Sequence, residues 1–293
     1  MTQVLCVGAA VLDFVFHLDT LPDRAEKYGT ETAEVVGGGC AGNAAVAVAR
    51  LGGHAVLGAR LGCDAVGDII LGDLAQEGVD VAHVTRNPGA ASSYSSVLID
   101  KRGERQIVNF RGKGLVLETG WFAGLDGLAA VLADTRQVAA ARDALALARS
   151  RDIPGVLDGE APIDPALMAL ASHLAFSMQG LRSFYPQAPV ADALADIARR
   201  YGAWACVTDG PSGVWFTTPD GVAHVPAFPV ETIDTLAAGD IWHGAFTLAL
   251  AERMGEPQAI RFANAAAALK CTTFGGRKGC PTRGAVLQYL AEN

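Results

Sequence analysis

The chain has 293 residues, 51% of them hydrophobic, and a formal net charge of −8 at pH 7. That length and apolar content predict one α/β domain spanning 1–293 with an ample core. The acidic balance, without a dense Lys/Arg cluster, argues against a nucleic-acid partner, whose binding draws on phosphate neutralisation.

The N-terminal run "MTQVLCVGAAVLDFVFHLD" lacks a basic lead-in and meets Asp13 early, so it reads as a first strand and not a signal peptide. In chain order the pattern predicts a strand over 3–9, helix 41–51, strand 54–59, helix 65–76, strand 129–133, helix 138–150, and strands 153–157 and 173–176. Helix 190–201, strand 204–208 and helices 239–253, 257–273 and 284–291 follow. Such alternation implies a mostly parallel sheet between helices. "VLDFVFHLD", "YGTETAEVV", "SSYSSVLID" and "RQIVNF" instead alternate apolar and polar residues with no helix between them. They predict a small sheet, from about 11–36 and 92–111, placed as a lid over the end of the large one. No apolar run approaches the roughly 18 residues of a membrane span. The six cysteines form no C-x-x-C pair, as expected of unpaired thiols in the cytoplasm.

Two stretches carry chemistry. In "EVVGGGCAGNAAVAVARLG", Gly37, Gly39 and Gly42 match G-x-G-x-x-G, with Asp64 about twenty residues on. The pattern fits a dinucleotide site, but a lone match is weak and fits as readily any tight turn into a helix. In "VETIDTLAAGDIWHGAFTLALAERM", small residues lead into a helix whose first N–H groups are free to bind an anion. Asp240, in its first turn, is placed to take a proton from a hydroxyl attacking a phosphoryl group held there. It is placed equally well to stabilise the helix start.

These stretches resemble the two signatures of the ribokinase-like (PfkB) carbohydrate kinases. "GAAVLD", "VTDGPSGVW" and "FANAAAALKCTTFGG" match other family segments, so the likeness runs over nearly the whole chain. The resemblance implies a ribokinase-like three-layer sandwich with a mostly parallel central sheet and a small β-sheet lid, and an ATP-dependent sugar kinase. It implies Asp240 as base, the N–H groups of Ala237, Ala238 and Gly239 as anion hole, and Asp13, Gly38, Gly39 and Asn43 as sugar ligands. Thr208, Gly210 and Gly213 should line the ATP phosphates and ribose, with Asn264 and Gly276 bordering adenine. It further implies Mg²⁺, a monovalent cation such as K⁺ near Asp234 and the loop 272–279, and a homodimer through the lid, for which Phe14 and Phe16 are candidates.

One departure stands out, because the family's N-x-x-E motif for Mg²⁺ is replaced by Ser177, Met178, Gln179 and Gly180. Glu160, with Asp158 in "VLDGEAP", is the candidate to take over that duty. His243 reads as a helix-packing residue. Lys27, Asn109 and Arg136 suggest a grip on a distal anion of the substrate. With "VLDGE" and "ALKCTTFGGRKG" they resemble the sulfofructose kinases within the family, which make 6-deoxy-6-sulfofructose 1-phosphate. Fructose 6-phosphate, 2-keto-3-deoxygluconate or a neutral ketohexose are the alternative substrates. A silent sugar sensor and an NAD(P) dehydrogenase are the alternatives in other classes.

Overall fold

A computed structural model describes all 293 residues. The first half comprises β1 (Gln3–Val7), β2 (Val11–His17), β3 (Thr32–Gly38), α1 (Cys40–Arg50), β4 (His54–Gly58), β5 (Arg60–Gly62), α2 (Ala65–Gln76), β6 (Thr85–Asn87), β7 (Tyr94–Ile99), β8 (Arg105–Phe110), β9 (Leu128–Ala133) and α3 (Val138–Ser150). The second comprises β10 (Gly155–Gly159), α4 (Pro165–Met168), β11 (His173–Ser177), α5 (Met178–Phe184), α6 (Val190–Tyr201), β12 (Trp204–Thr208), β13 (Val214–Thr218), β14 (Gly221–Val225), α7 (Ala238–Ala251), α8 (Glu256–Cys271) and α9 (Arg283–Glu292).

The central sheet has eight strands in the order β14-β13-β12-β11-β10-β9-β1-β4, parallel from β12 to β4 and closed at the other edge by the antiparallel β13–β14 hairpin. Successive side chains of β1 enter opposite layers, as a two-residue repeat requires. Val4 and Cys6 join the core beneath α1, α7 and α8, while Leu5 and Val7 join the one beneath α3 and α6. This is the three-layer sandwich expected. No helix is long and apolar enough to cross a membrane.

The Ala-rich faces of α1 and α7 let the two backbones nearly touch. A Cβ on Gly244 would lie 2.4 Å from the Ala44 carbonyl oxygen, so only glycine fits there. That approach fixes the start of α7 against the start of α1, where the chemistry sits.

The lid is a separate four-stranded sheet in the order β3-β2-β7-β8. Its register aligns Asp13 with Ser95 and Ser95 with Asn109, putting all three on one face. On that face Val15, Val36 and Val97 form a small cluster against which Leu236 packs. The lid therefore rests on the turn that precedes α7. Lys27 departs from expectation, because residues 18–31 form an irregular connection and not a lid strand. The stretch has no two-residue apolar repeat to hold it in a sheet.

Candidate active site

The turn into α7 carries Asp240, the expected base. Asp240 is half-buried, and Asn43 of α1 donates from Nδ2 to its Oδ2 at 2.7 Å. Loss of surrounding water, with the nearby Asp158 charge adding, raises the Asp240 carboxyl to about 7. Ala237 caps the helix in the left-handed region at φ 65°, ψ 6°. The N–H groups of Ala237 and Gly239 have no partner within the protein, whereas Ala238 N donates to Thr235 O at 3.2 Å. Of the three expected anion donors, two are open and the third is tied into the turn.

Around Asp240 lie the two acids of "VLDGEAP", Asp158 and Glu160. Single ligand atoms of Cys40, Asp158 and Asp240 lie within 4.8 Å of one another. Asp158 is buried at the end of β10, and burial together with the Glu160 and Asp134 charges pushes its carboxyl well above the usual range. Burial and these same acids push the Cys40 thiol up; it donates to Glu160 Oε2 at 3.5 Å. His243 is buried and its Nε2 meets the Ala175 carbonyl at 3.2 Å, with Asp158 Oδ1 at 3.7 Å. Burial lowers its pKa, so it packs as a neutral ring, as expected.

Asp134, at the end of β9, was not singled out from the sequence. It is buried and accepts from Ala9 N at 2.7 Å and Arg136 N at 2.9 Å, fixing the turn after β1. An acid ending an apolar strand, as in "VLAD", was the available signal. Arg136 itself pairs with Glu160 and donates to Ala161 O at 3.2 Å. The expected free cationic fork is thus an ion-pair partner in this structure, and Glu160 is held by Arg136.

The glycines of residues 37–39 are approached by protein groups. A Cβ on Gly37 would meet the Arg277 guanidinium at 1.7 Å, one on Gly38 the Asp13 carboxylate at 2.2 Å, and one on Gly39 the Ala9 carbonyl oxygen at 2.5 Å. Asp13 is raised by burial, against which Ser95 and Arg277 pull it down. Asn109 Nδ2 donates to Ser95 Oγ at 3.1 Å, completing a row across the lid from Asp13. Arg277, also missed from sequence, is 1% exposed, pairs with Asp73 and leaves Nε and Nη1 unbonded beside the glycine turn. Lys27 is exposed and makes no hydrogen bond or ion pair, so the structure does not bring it to this row. Asp64 caps α2 through Gly67 N at 2.7 Å, and the strand before the glycines, β3, belongs to the lid. The dinucleotide reading fails on both counts.

At the other end, Thr208 closes β12, with Gly210 at φ 49° and Gly213 at φ 94° in the following turn. Gly213 is required, since a Cβ would lie 2.3 Å from Val225 O. Two expected adenine neighbours are turned inward. Asn264 accepts from Trp242 Nε1 at 2.8 Å and donates to Pro226 O at 3.0 Å, and Gly276 N donates to Asp234 Oδ2 at 3.0 Å.

A base beside open helix-start N–H groups, under a lid, is phosphoryl-transfer geometry, and the profile of the pfkB family carbohydrate kinases matches residues 1–283. The chain belongs to the PfkB family. It is similar to a candidate ribokinase from Agrobacterium tumefaciens of solved structure, with 40% identity, 99% of this chain and 98% of that one covered, and a TM-score of 0.92. A Bacillus subtilis ribokinase is 28% identical over 99% of this chain and all of its own, and a Vibrio alginolyticus fructokinase 26% identical over the whole of both. The protein is an ATP-dependent carbohydrate kinase with the ribokinase fold.

Within this PfkB kinase the place of the N-x-x-E acid is tightly packed. A Cβ on Gly180 would lie 1.8 Å from the Gly159 carbonyl oxygen, so α5 packs on β10 where a glutamate would need room. Of the groups beside Asp240, a hard Mg²⁺ ion suits the Asp158 oxygens and not the Cys40 thiol.

Proposed function

We propose that this PfkB kinase transfers the γ-phosphoryl group of ATP to the 1-hydroxyl of a ketose with a distal anion, 6-deoxy-6-sulfofructose in first place. The observation that carries the phosphoryl-transfer step is the 2.7 Å contact from Asn43 to Asp240, with the base raised to about 7 beside open N–H groups. At neutral pH a substantial share of such a base is ionised and able to take the hydroxyl proton. Ala237 N and Gly239 N then receive the developing phosphoryl charge, and Asp13 orients the sugar. Mg²⁺ bound with ATP would neutralise phosphate charge, and Asp158 is the side chain that would face it.

Support for the distal anion is the position of Arg136 at the end of β9 and of Asn109 in the lid row. A sulfonate would take Arg136 from Glu160. The standing Arg136–Glu160 pair favours a second reading, a neutral ketohexose, in line with the fructokinase relative. The deciding measurement is kcat/KM for sulfofructose, fructose 6-phosphate, 2-keto-3-deoxygluconate and fructose, with Asp240→Asn as blank. A preference for sulfofructose that falls about tenfold or more in Arg136→Ala supports the first reading. Equal or better use of fructose overturns it.

We also propose that the enzyme is a homodimer joined through its lids. Val35, Tyr94, Val108 and Phe110 are exposed apolar residues on one face of that sheet, with the half-buried Phe14 in the same rows. The six unpaired cysteines suit a reducing compartment, the cytoplasm.

A further inference from the structure

Lys270, in the last turn of α8, is fully buried. Its ammonium donates to the Asp234 carbonyl at 2.7 Å, to Asp234 Oδ2 at 3.0 Å and to the Thr273 carbonyl at 3.4 Å. Asp234 is itself buried, and its carboxylate also accepts from Leu236 N at 2.8 Å, Gly275 N at 3.2 Å and Gly276 N at 3.0 Å. Ile233 N and Asp234 N both bond to the Cys271 carbonyl. Three segments therefore meet at one charge: the end of α8, the loop after it, and the turn that delivers Ala237 and Gly239 to the phosphoryl group.

Burying an ammonium is costly unless every proton finds an acceptor. Here three acceptors surround it, two carbonyl oxygens and one carboxylate oxygen. Carbonyl and carboxylate oxygens are also the donors a large monovalent cation takes, since potassium and ammonium ions are similar in size and charge. Asp234 and the loop 272–279 are the groups that the family resemblance assigned to such an ion. In this chain Asp234 and the Thr273 carbonyl face an ammonium already attached to the protein, so their donor set does not fit a free ion.

We propose that Lys270 is a tethered internal cation, a positioning residue that sets the anion-hole turn, and that this kinase turns over without K⁺. The inference rests on the kinase reaction and not on which sugar is phosphorylated. Any sugar that is turned over serves for the assay, and the thermal measurement needs none.

The test compares wild-type turnover and melting temperature in KCl and in choline chloride at equal ionic strength, with ATP supplied free of potassium. Both should be unchanged between the two salts. Turnover that falls by about tenfold or more in choline and returns with KCl overturns the proposal. In Lys270→Ala, turnover in choline should collapse and recover in KCl or NH₄Cl but not in LiCl, with a melting temperature that K⁺ now raises. A lysine serving only as a structural ion pair would give lower stability with no cation-specific recovery, and that result would also overturn it. If the variant does not fold, the wild-type comparison decides alone.

Discussion

As the proposed base, Asp240 must be ionised to act, and it sits where ionisation is disfavoured. With its carboxyl raised to about 7, kcat/KM should rise about tenfold per pH unit below that value and level off above it. The sign for stability is the reverse. A carboxyl raised in the folded state stabilises it fully below the unfolded value of 3.8, and that stability is lost as pH rises through about 7. Asp240→Asn should therefore lower kcat by about 10²–10⁴-fold while raising the melting temperature at pH 8 and leaving it little changed at pH 4. Calorimetry at the two pH values checks this, and a variant less stable at pH 8 would contradict it. Asp240 stood out in sequence because small residues and a helix start frame it, whereas Asn43 and Asp13, the latter inside β2, stood out through the family resemblance. Asp134, Lys270 and Arg277 did not. A charged letter inside or just after an apolar run does not say whether its head is buried or reaches solvent, and only the packing around it decides.

Helices α2, α3 and α6 begin and end where the periodicity placed them, and each parallel strand of the central sheet lies within two residues of expectation, whereas the short parallel pair β5–β6 was not foreseen. Sequence missed the β13–β14 hairpin and the short α4 and α5, whose apolar repeats are too brief to stand out. It also put Lys27 in a strand, although nothing in residues 18–31 repeats. The start of α5 shows how an element constrains chemistry, since Gly159 and Gly180 lie back to back and leave no space for a side chain. Gly180→Ala should cost about 1–3 kcal/mol or more, as overpacking does, and lower the urea midpoint accordingly. An unchanged midpoint would show that the strand end can move aside. The left-handed Ala237 is a milder case at the same scale. Its backbone conformation is one that glycine adopts more readily.

For the whole molecule, three layers frame the turn into α7, and the lid packs on that turn through Leu236. Every residue of β8 is exposed, and it is the edge strand of its sheet. A lone apolar edge is a surface that a second chain can cover. Val108, 68% exposed, is its most open apolar side chain, so Val108→Asp should turn a dimer into a monomer in sedimentation at unchanged melting temperature of the isolated chain. A wild-type enzyme that sediments as a monomer would remove the lid-pairing proposal. The lid is also not a module that the chain adds in one piece. β2 and β3 are inserted between β1 and α1, whereas β7 and β8 come after β6, and Asp13 from the first insert meets Ser95 from the second, which in turn accepts from Asn109. A chimera built to change which sugar this enzyme accepts must therefore exchange both inserts together. Grafting either one alone would pair half of one wall with half of another and leave the row of side chains from Asp13 to Asn109 without a matched register.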